Sequence, residues 1–92
     1  MGYPNLRKYA DFERAIRKVG EGNLMAYVAS KGHRVNKFQR NMKIIYYTMQ
    51  HGPCAASKVF HIAESYPSSI LYRYGRYAEE LSEIMENERK AK

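Results

Sequence analysis

Arg73 and Arg76 stand three residues apart, and Ser69 and Tyr72 each precede one of them by one helical turn. On a helix these four share a side, because positions three and four apart are neighbours. A guanidinium presents a fork of N–H donors that matches phosphate oxygens or the paired acceptors of guanine, and Ser and Tyr add hydroxyl donors beside it. Lys37, Arg40 and Lys43 form a second group of cations at one-turn intervals, and Ser57 with Lys58 a third. Such groups hold a phosphate backbone without reading sequence. Other chemistry is poorly served. His51, Cys54 and His61 are loosely spaced, whereas a structural zinc needs four ligands in close pairs. Gly20-Glu21-Gly22 is no phosphate-binding fingerprint, and no Ser, His and acid suggest themselves as a triad. The carboxylates concentrate in the final helix, as a solvated face would. No catalysis, cofactor, metal or small-molecule substrate is expected.

The elements that position these residues follow from local signals. Pro53 suits a helix start, where its missing N–H costs nothing. Ala56, Val59, Phe60 and Ala63 then recur at helical spacing. Ser65-Tyr66-Pro67 breaks the run, because proline pushes the preceding residue out of the α region. Ser68 or Ser69 is expected to cap the next helix. That helix carries Leu71, Tyr74, Ala78 and Leu81 on one stripe and Ser69, Tyr72, Arg73 and Arg76 on another, with Tyr77 at its edge. A short apolar helix, a tight turn and a helix with Arg and Tyr facing out make the pattern of a helix-turn-helix.

The run Ser68-Ser69-Ile70-Leu71-Tyr72-Arg73-Tyr74 resembles the start of a recognition helix in bacterial and archaeal regulators. The approach from Met49 to Pro53, followed by residues 55–60, is similar to winged-helix proteins, where one helix ends at a glycine and the next begins directly. The small size, the abundant Tyr and Lys and the late helix-turn-helix also resemble the site-binding protein of an archaeal plasmid partition system. That resemblance implies a palindromic DNA site, spreading along DNA and contact with a partner segregation protein. It departs from the winged pattern in one respect. No alternating strand pair follows the recognition helix, so the wing is expected to be minimal or absent.

Composition sets the outer bounds. Ninety-two residues make one domain, with a modest core burying about 60–65% of the unfolded surface. A single Cys54 excludes an internal disulfide and suits a reducing compartment. The N-terminus is polar by residue 5, and no apolar run approaches the length of a membrane span. The expected location is the cytoplasm, on nucleoid or plasmid, with no membrane partner. The net charge of +7 is unevenly spread. Residues 1–43 hold ten Lys or Arg against three acids, and residues 79–92 hold three against five. A basic body with an acidic end points to a polyanion partner and to a segment with another use.

Three earlier helices are expected. Residues 5–19 place Leu6, Tyr9, Phe12, Ile16 and Val19 on one stripe, with Arg7, Arg14, Arg17 and Lys18 off it. Residues 23–31 follow, capped by Asn23, with Leu24, Met25, Tyr27 and Val28 inward. The basic loop Lys31-Gly32-His33-Arg34 either tracks a phosphate backbone or is an ordinary connector. Residues 36–51, capped by Asn36, line Phe38, Met42, Ile45 and Met49 on one face, widened by Ile44 and Tyr46. Gly75, inside the last helix, calls for a close backbone approach or a kink. Beyond it Leu81, Ile84 and Met85 among glutamates make an amphipathic end, which pairs with a second subunit or folds back on its own core.

The reading is a mainly α protein of about five helices, of helix-turn-helix type, binding double-stranded DNA as a homodimer on a palindromic site. Arg73, Arg76, Ser69 and Tyr72 face the bases or flanking phosphates. Ser57, Lys58, Lys37, Arg40 and Lys43 hold phosphates, and Leu81, Ile84 and Met85 form the dimer. Plasmid partition is the expected role. The rivals are a transcriptional repressor on the same chemistry, a protein-interaction adaptor using the acidic helix, and a non-specific DNA-compacting or RNA-binding protein.

Overall fold

In the computed structural model residues 6–90 are described, with side chains from Tyr9 onward. The chain forms five helices: α1 (Leu6–Val19), α2 (Glu21–Ser30), α3 (Val35–His51), α4 (Pro53–Phe60) and α5 (Tyr66–Lys90). No strand occurs among the described residues, and α5 runs unbroken through the place where a wing would follow. At 25 residues α5 is the spine, about 37 Å long at 1.5 Å per residue.

Helices α1, α2 and α3 lie on this spine, and α4 rests on α3. Helix α1 runs parallel to α5. Tyr9 hydrogen-bonds Ser68, Phe12 faces Gly75, and Lys18 reaches Glu86. Helix α3 runs antiparallel to it, since Phe38 packs on the Tyr74 ring while His33, just before α3, meets Tyr77 further along α5. The stripes predicted for the first three helices supply most of the core. Tyr9, Phe12, Ile16, Val19, Leu24, Val28, Phe38, Met42, Ile44 and Ile45 are buried, closed from the other side by Ile70, Leu71, Tyr74 and Ala78. Burial of this apolar surface is the main force holding the helices together.

Five helix ends or faces differ from the sequence reading. Helix α2 starts at Glu21 and not at Asn23. Gly20 takes φ 90°, which lets the chain reverse at once, and Asn23 donates back to the Val19 carbonyl at 2.8 Å. Helix α3 starts at Val35 behind Arg34, whose extended backbone serves as the N-cap without a side-chain bond, so Asn36 caps nothing. Helix α5 starts at Tyr66, because the Ser65 carbonyl already accepts the Ser69 N–H at 3.2 Å. Pro67 in the first turn gives up no helical bond, so the break falls before Tyr66 and neither Ser68 nor Ser69 is the cap. On α3, Tyr46 lies outside the core and donates to Glu21; the inner face is widened instead by Asn41 and Thr48. In α4 only Ala56 is buried. Val59 is 52% exposed, and Ala63 lies beyond the helix, which ends at His61 in the left-handed conformation.

Gly75 is not required by packing. A Cβ there would meet Phe12 Cδ1 at 3.9 Å, an ordinary contact. Gly75→Ala is therefore expected to stabilise the fold by about 1 kcal/mol, through the lower entropy cost of alanine in a helix. A urea midpoint shifted upward at unchanged slope is the expected reading. A downward shift would mean that α5 and α1 have no room for a methyl group.

Candidate nucleic-acid interface

One exposed side of α5 gathers the residues singled out first. Ser69, Tyr72, Arg73 and Arg76, with Tyr77 and Glu80, line a shallow groove along it. The opposite side of the same turns is locked inward by Ile70, Leu71 and Tyr74, so the arginines have no choice but to face out. Tyr72 is 68% exposed, a large ring left in solvent.

The rotation of α5 is set by a buried polar contact that periodicity did not reveal. Asn41 of α3 is 1% exposed. Its Oδ1 accepts from Tyr66 Oη at 3.0 Å, and its Nδ2 donates to Tyr74 Oη at 2.9 Å. The two tyrosines sit about two turns apart on α5, so one amide pins both ends of the segment that precedes Arg76. Burial pushes the Tyr74 phenol above its ordinary pKa, while the bond from Asn41 acts the other way. Among the described residues no buried side-chain polar atom lacks a partner.

A second feature joins this face from elsewhere in the chain. The loop of residues 31–34 lies beside α5. His33 Nε2 is 3.3 Å from Tyr77 Oη, and the two rings meet edge to face. Tyr77 also packs edge-on against Tyr27, whose hydroxyl donates to Glu80 at 2.8 Å. That carboxylate, by accepting the bond, pushes the Tyr27 phenol upward. Lys31 Nζ sits 5.1 Å over the Tyr27 ring, a cation–π contact that fixes where its charge lies.

Ion pairing divides the cations. Arg14 pairs with Asp11, Arg17 with Glu13 at 3.1 Å, and Lys18 with Glu86 at 3.3 Å. Lys31, Arg34, Lys37, Arg40, Lys43, Lys58, Arg73 and Arg76 pair with no carboxylate among the described residues. The exposed arginines of α1 are thus locally neutralised, as their three- and four-residue spacing from acids could have told. Arg7 lies outside the residues whose side chains are described.

The other predicted contacts do not all converge. Ser57 Oγ donates to the Ile62 carbonyl at 2.5 Å and so closes the end of α4; its proton is committed to that turn. Lys58 is exposed on α4, which packs near the C-terminal end of α3 through Phe60 and Tyr47. The loop of residues 31–34 lies at the other end of α3, about 25 Å away by helix length. Lys37, Arg40 and Lys43 are all exposed, but steps of three residues turn each about 60° back round the axis. Lys43 consequently lines a groove with Glu21, Gln39 and Tyr46, on the flank of α3 that meets α2. These three cations wind around α3 and do not form one straight row.

Leu81 and Met85 are half-buried and pack against the subunit's own core, whereas Ile84 is 42% exposed. The three therefore do not form one contiguous outward patch: the amphipathic end lies along the parallel α1, with Lys18 and Glu86 bridging at its edge. His51 stacks on Tyr47 at 4.4 Å between ring centroids. Among the described residues no three His, Cys, Asp or Glu side chains are placed to hold a metal. No described helix is long and apolar enough to cross a membrane.

Fold and site together define a small, mainly helical domain that presents an arginine- and tyrosine-bearing helix beside a fixed basic loop. No family model, curated protein or solved structure matches the chain.

Proposed function

We propose that the protein binds double-stranded DNA sequence-specifically, with α4 and α5 as a helix-turn-helix and α5 as the helix that enters the major groove. The observation that carries this reading is the outward pair Arg73 and Arg76, in no ion pair among the described residues and grouped with Ser69 and Tyr72 on a helix whose rotation is set from inside. Arginine to guanine is the commonest specific contact in a major groove. Lys37 and Arg40 supply phosphate contacts, which position a protein without reading bases. Lys43 and Lys58 lie on other flanks and serve more distant phosphates. Selection on random duplexes tests the reading. Enrichment of a consensus is the expected result, and recovery of unselected sequences at every round would remove it.

The protein acts as a homodimer on a palindrome, with recognition helices set about 34 Å apart. Ile84 is the exposed apolar residue of the acidic end of α5 and the anchor assigned to that contact. Ile84→Glu leaves the subunit core intact, so sedimentation is expected to give a folded monomer with weakened binding to the full palindrome. A variant that stays dimeric would move the interface away from α5. The biological role assigned is binding of a plasmid partition site, with recruitment of a segregation protein, on the strength of the resemblance carried by the small size, the abundant Tyr and Lys and the late helix-turn-helix. Repression of transcription uses the same contacts. A footprint confined to the selected site would favour the repressor, and one extending into flanking DNA the partition protein.

A further inference from the structure

We infer that Lys31 and Arg34 form a second, pre-set contact to nucleic acid: a clamp for backbone phosphates that flank the groove entered by α5. The inference rests on the DNA-binding reading and adds the residues that grip the duplex beside the recognition helix.

Three observations carry it. The first is position. His33 touches Tyr77, which lies one residue beyond Arg76 and one turn beyond Arg73, so the loop borders the α5 groove although 44 residues separate the two in sequence. The second is charge. Lys31 and Arg34 are exposed and pair with no carboxylate among the described residues, whereas Glu80, the acid that lines the adjacent groove, is engaged by the Tyr27 hydroxyl. The third is order. The Lys31 and Gly32 N–H groups donate to Val28 and Ala29 at 3.0 Å, the His33 N–H reaches Val28 at 3.3 Å, and Gly32 takes φ 92°. Lys31 is steadied over Tyr27 from below. A basic loop already folded against the recognition helix loses little freedom when it meets phosphate, and ordering cost is what weakens a flexible cationic tail.

The chemistry recognised is a phosphodiester backbone. No base is read by this loop, so its contribution is uniform across sequences and strongly salt-dependent. His33 is a positioning residue: its contact with Tyr77 holds the two cations at the edge of the α5 face.

The test measures binding of a random-sequence duplex across a range of sodium chloride concentrations. Four proteins are compared: the parent, Lys31→Gln with Arg34→Gln, His33→Ala, and Arg73→Gln. For the double variant the slope of log affinity against log salt is expected to flatten by about 1.8, from two phosphate contacts at about 0.9 each, with affinity near 0.1 M salt falling more than about tenfold. His33→Ala keeps both cations, and its affinity is expected to fall several-fold with little change of slope. Thermal melting of each variant at the parent temperature confirms that these changes leave the fold intact. An unchanged slope in the double variant overturns the clamp, and if Arg73→Gln still weakens binding to the duplex obtained by selection, the DNA reading stands without it. Full affinity in His33→Ala overturns the pre-set part of the inference. A parent protein that binds no duplex at low salt removes both the clamp and the reading beneath it.

Discussion

Arg73→Ala is expected to weaken binding to the selected duplex by about 1–3 kcal/mol, roughly 5- to 150-fold, and to weaken binding to random duplex much less. The side chain stands on the open side of α5, where Ser69, Tyr72 and Arg76 share its groove. No carboxylate neutralises it among the described residues, so truncation removes donors that are available to a ligand and breaks no internal pair. Its Cα belongs to a turn held by Tyr74 and Asn41, which is why the loss is expected in discrimination between sequences and not in folding. A rigid helix presents a guanidinium at a defined depth, and a two-bond match to guanine depends on that depth. Equal loss on both duplexes would make Arg73 a phosphate contact and hand direct readout to Arg76 and Tyr72. Affinities on the two duplexes at one salt concentration decide between these outcomes.

Asn41→Ala is expected to be strongly destabilising for a polar position, costing about 2–4 kcal/mol of stability. The amide is buried to 1% exposure and satisfies hydroxyls on both sides of it. Its removal leaves the buried Tyr74 oxygen short of a donor and opens a gap between α3 and α5. A polar atom stranded in an apolar interior costs its full desolvation, whereas removing both partners together is nearly neutral. Tyr74→Phe is therefore expected to cost less in the Asn41→Ala background than in the parent, and denaturation of the four proteins gives the coupling energy. Strict additivity would mean that water replaces the amide. The same substitution is expected to reduce sequence discrimination in DNA binding while leaving the salt slope in place, since no phosphate contact is lost.

Much of this protein was legible in its sequence because it depends on local order. The inward stripes Tyr9–Phe12–Ile16–Val19 and Phe38–Met42–Ile45 were readable from spacing alone, since the α-helix repeats every 3.6 residues whatever surrounds it. So were five helices, the direct junction at Gly52-Pro53, and the outward grouping of Ser69, Tyr72, Arg73 and Arg76. Helix starts were less legible. Gly20 and Ser65 act through backbone conformation and backbone bonds, and side-chain capping signals pointed instead to nearby Asn23, Asn36 and either Ser68 or Ser69.

Tertiary structure alone decided what each inward face meets. Hydrophobic burial has no direction, so Leu81 and Met85 could mark a partner's surface or their own core, and the parallel course of α1 along α5 gave them the latter. Asn41 reads as an ordinary polar residue until two tyrosines from α5 close on it. The basic loop of residues 31–34 had two readings, phosphate contact or connector, because nothing local places it. Its position beside Arg73 and Arg76 follows from the antiparallel crossing of α3 over α5, which brings His33 to Tyr77. Local periodicity determines which residues turn inward; which distant surfaces then lie side by side is settled only when the helices pack.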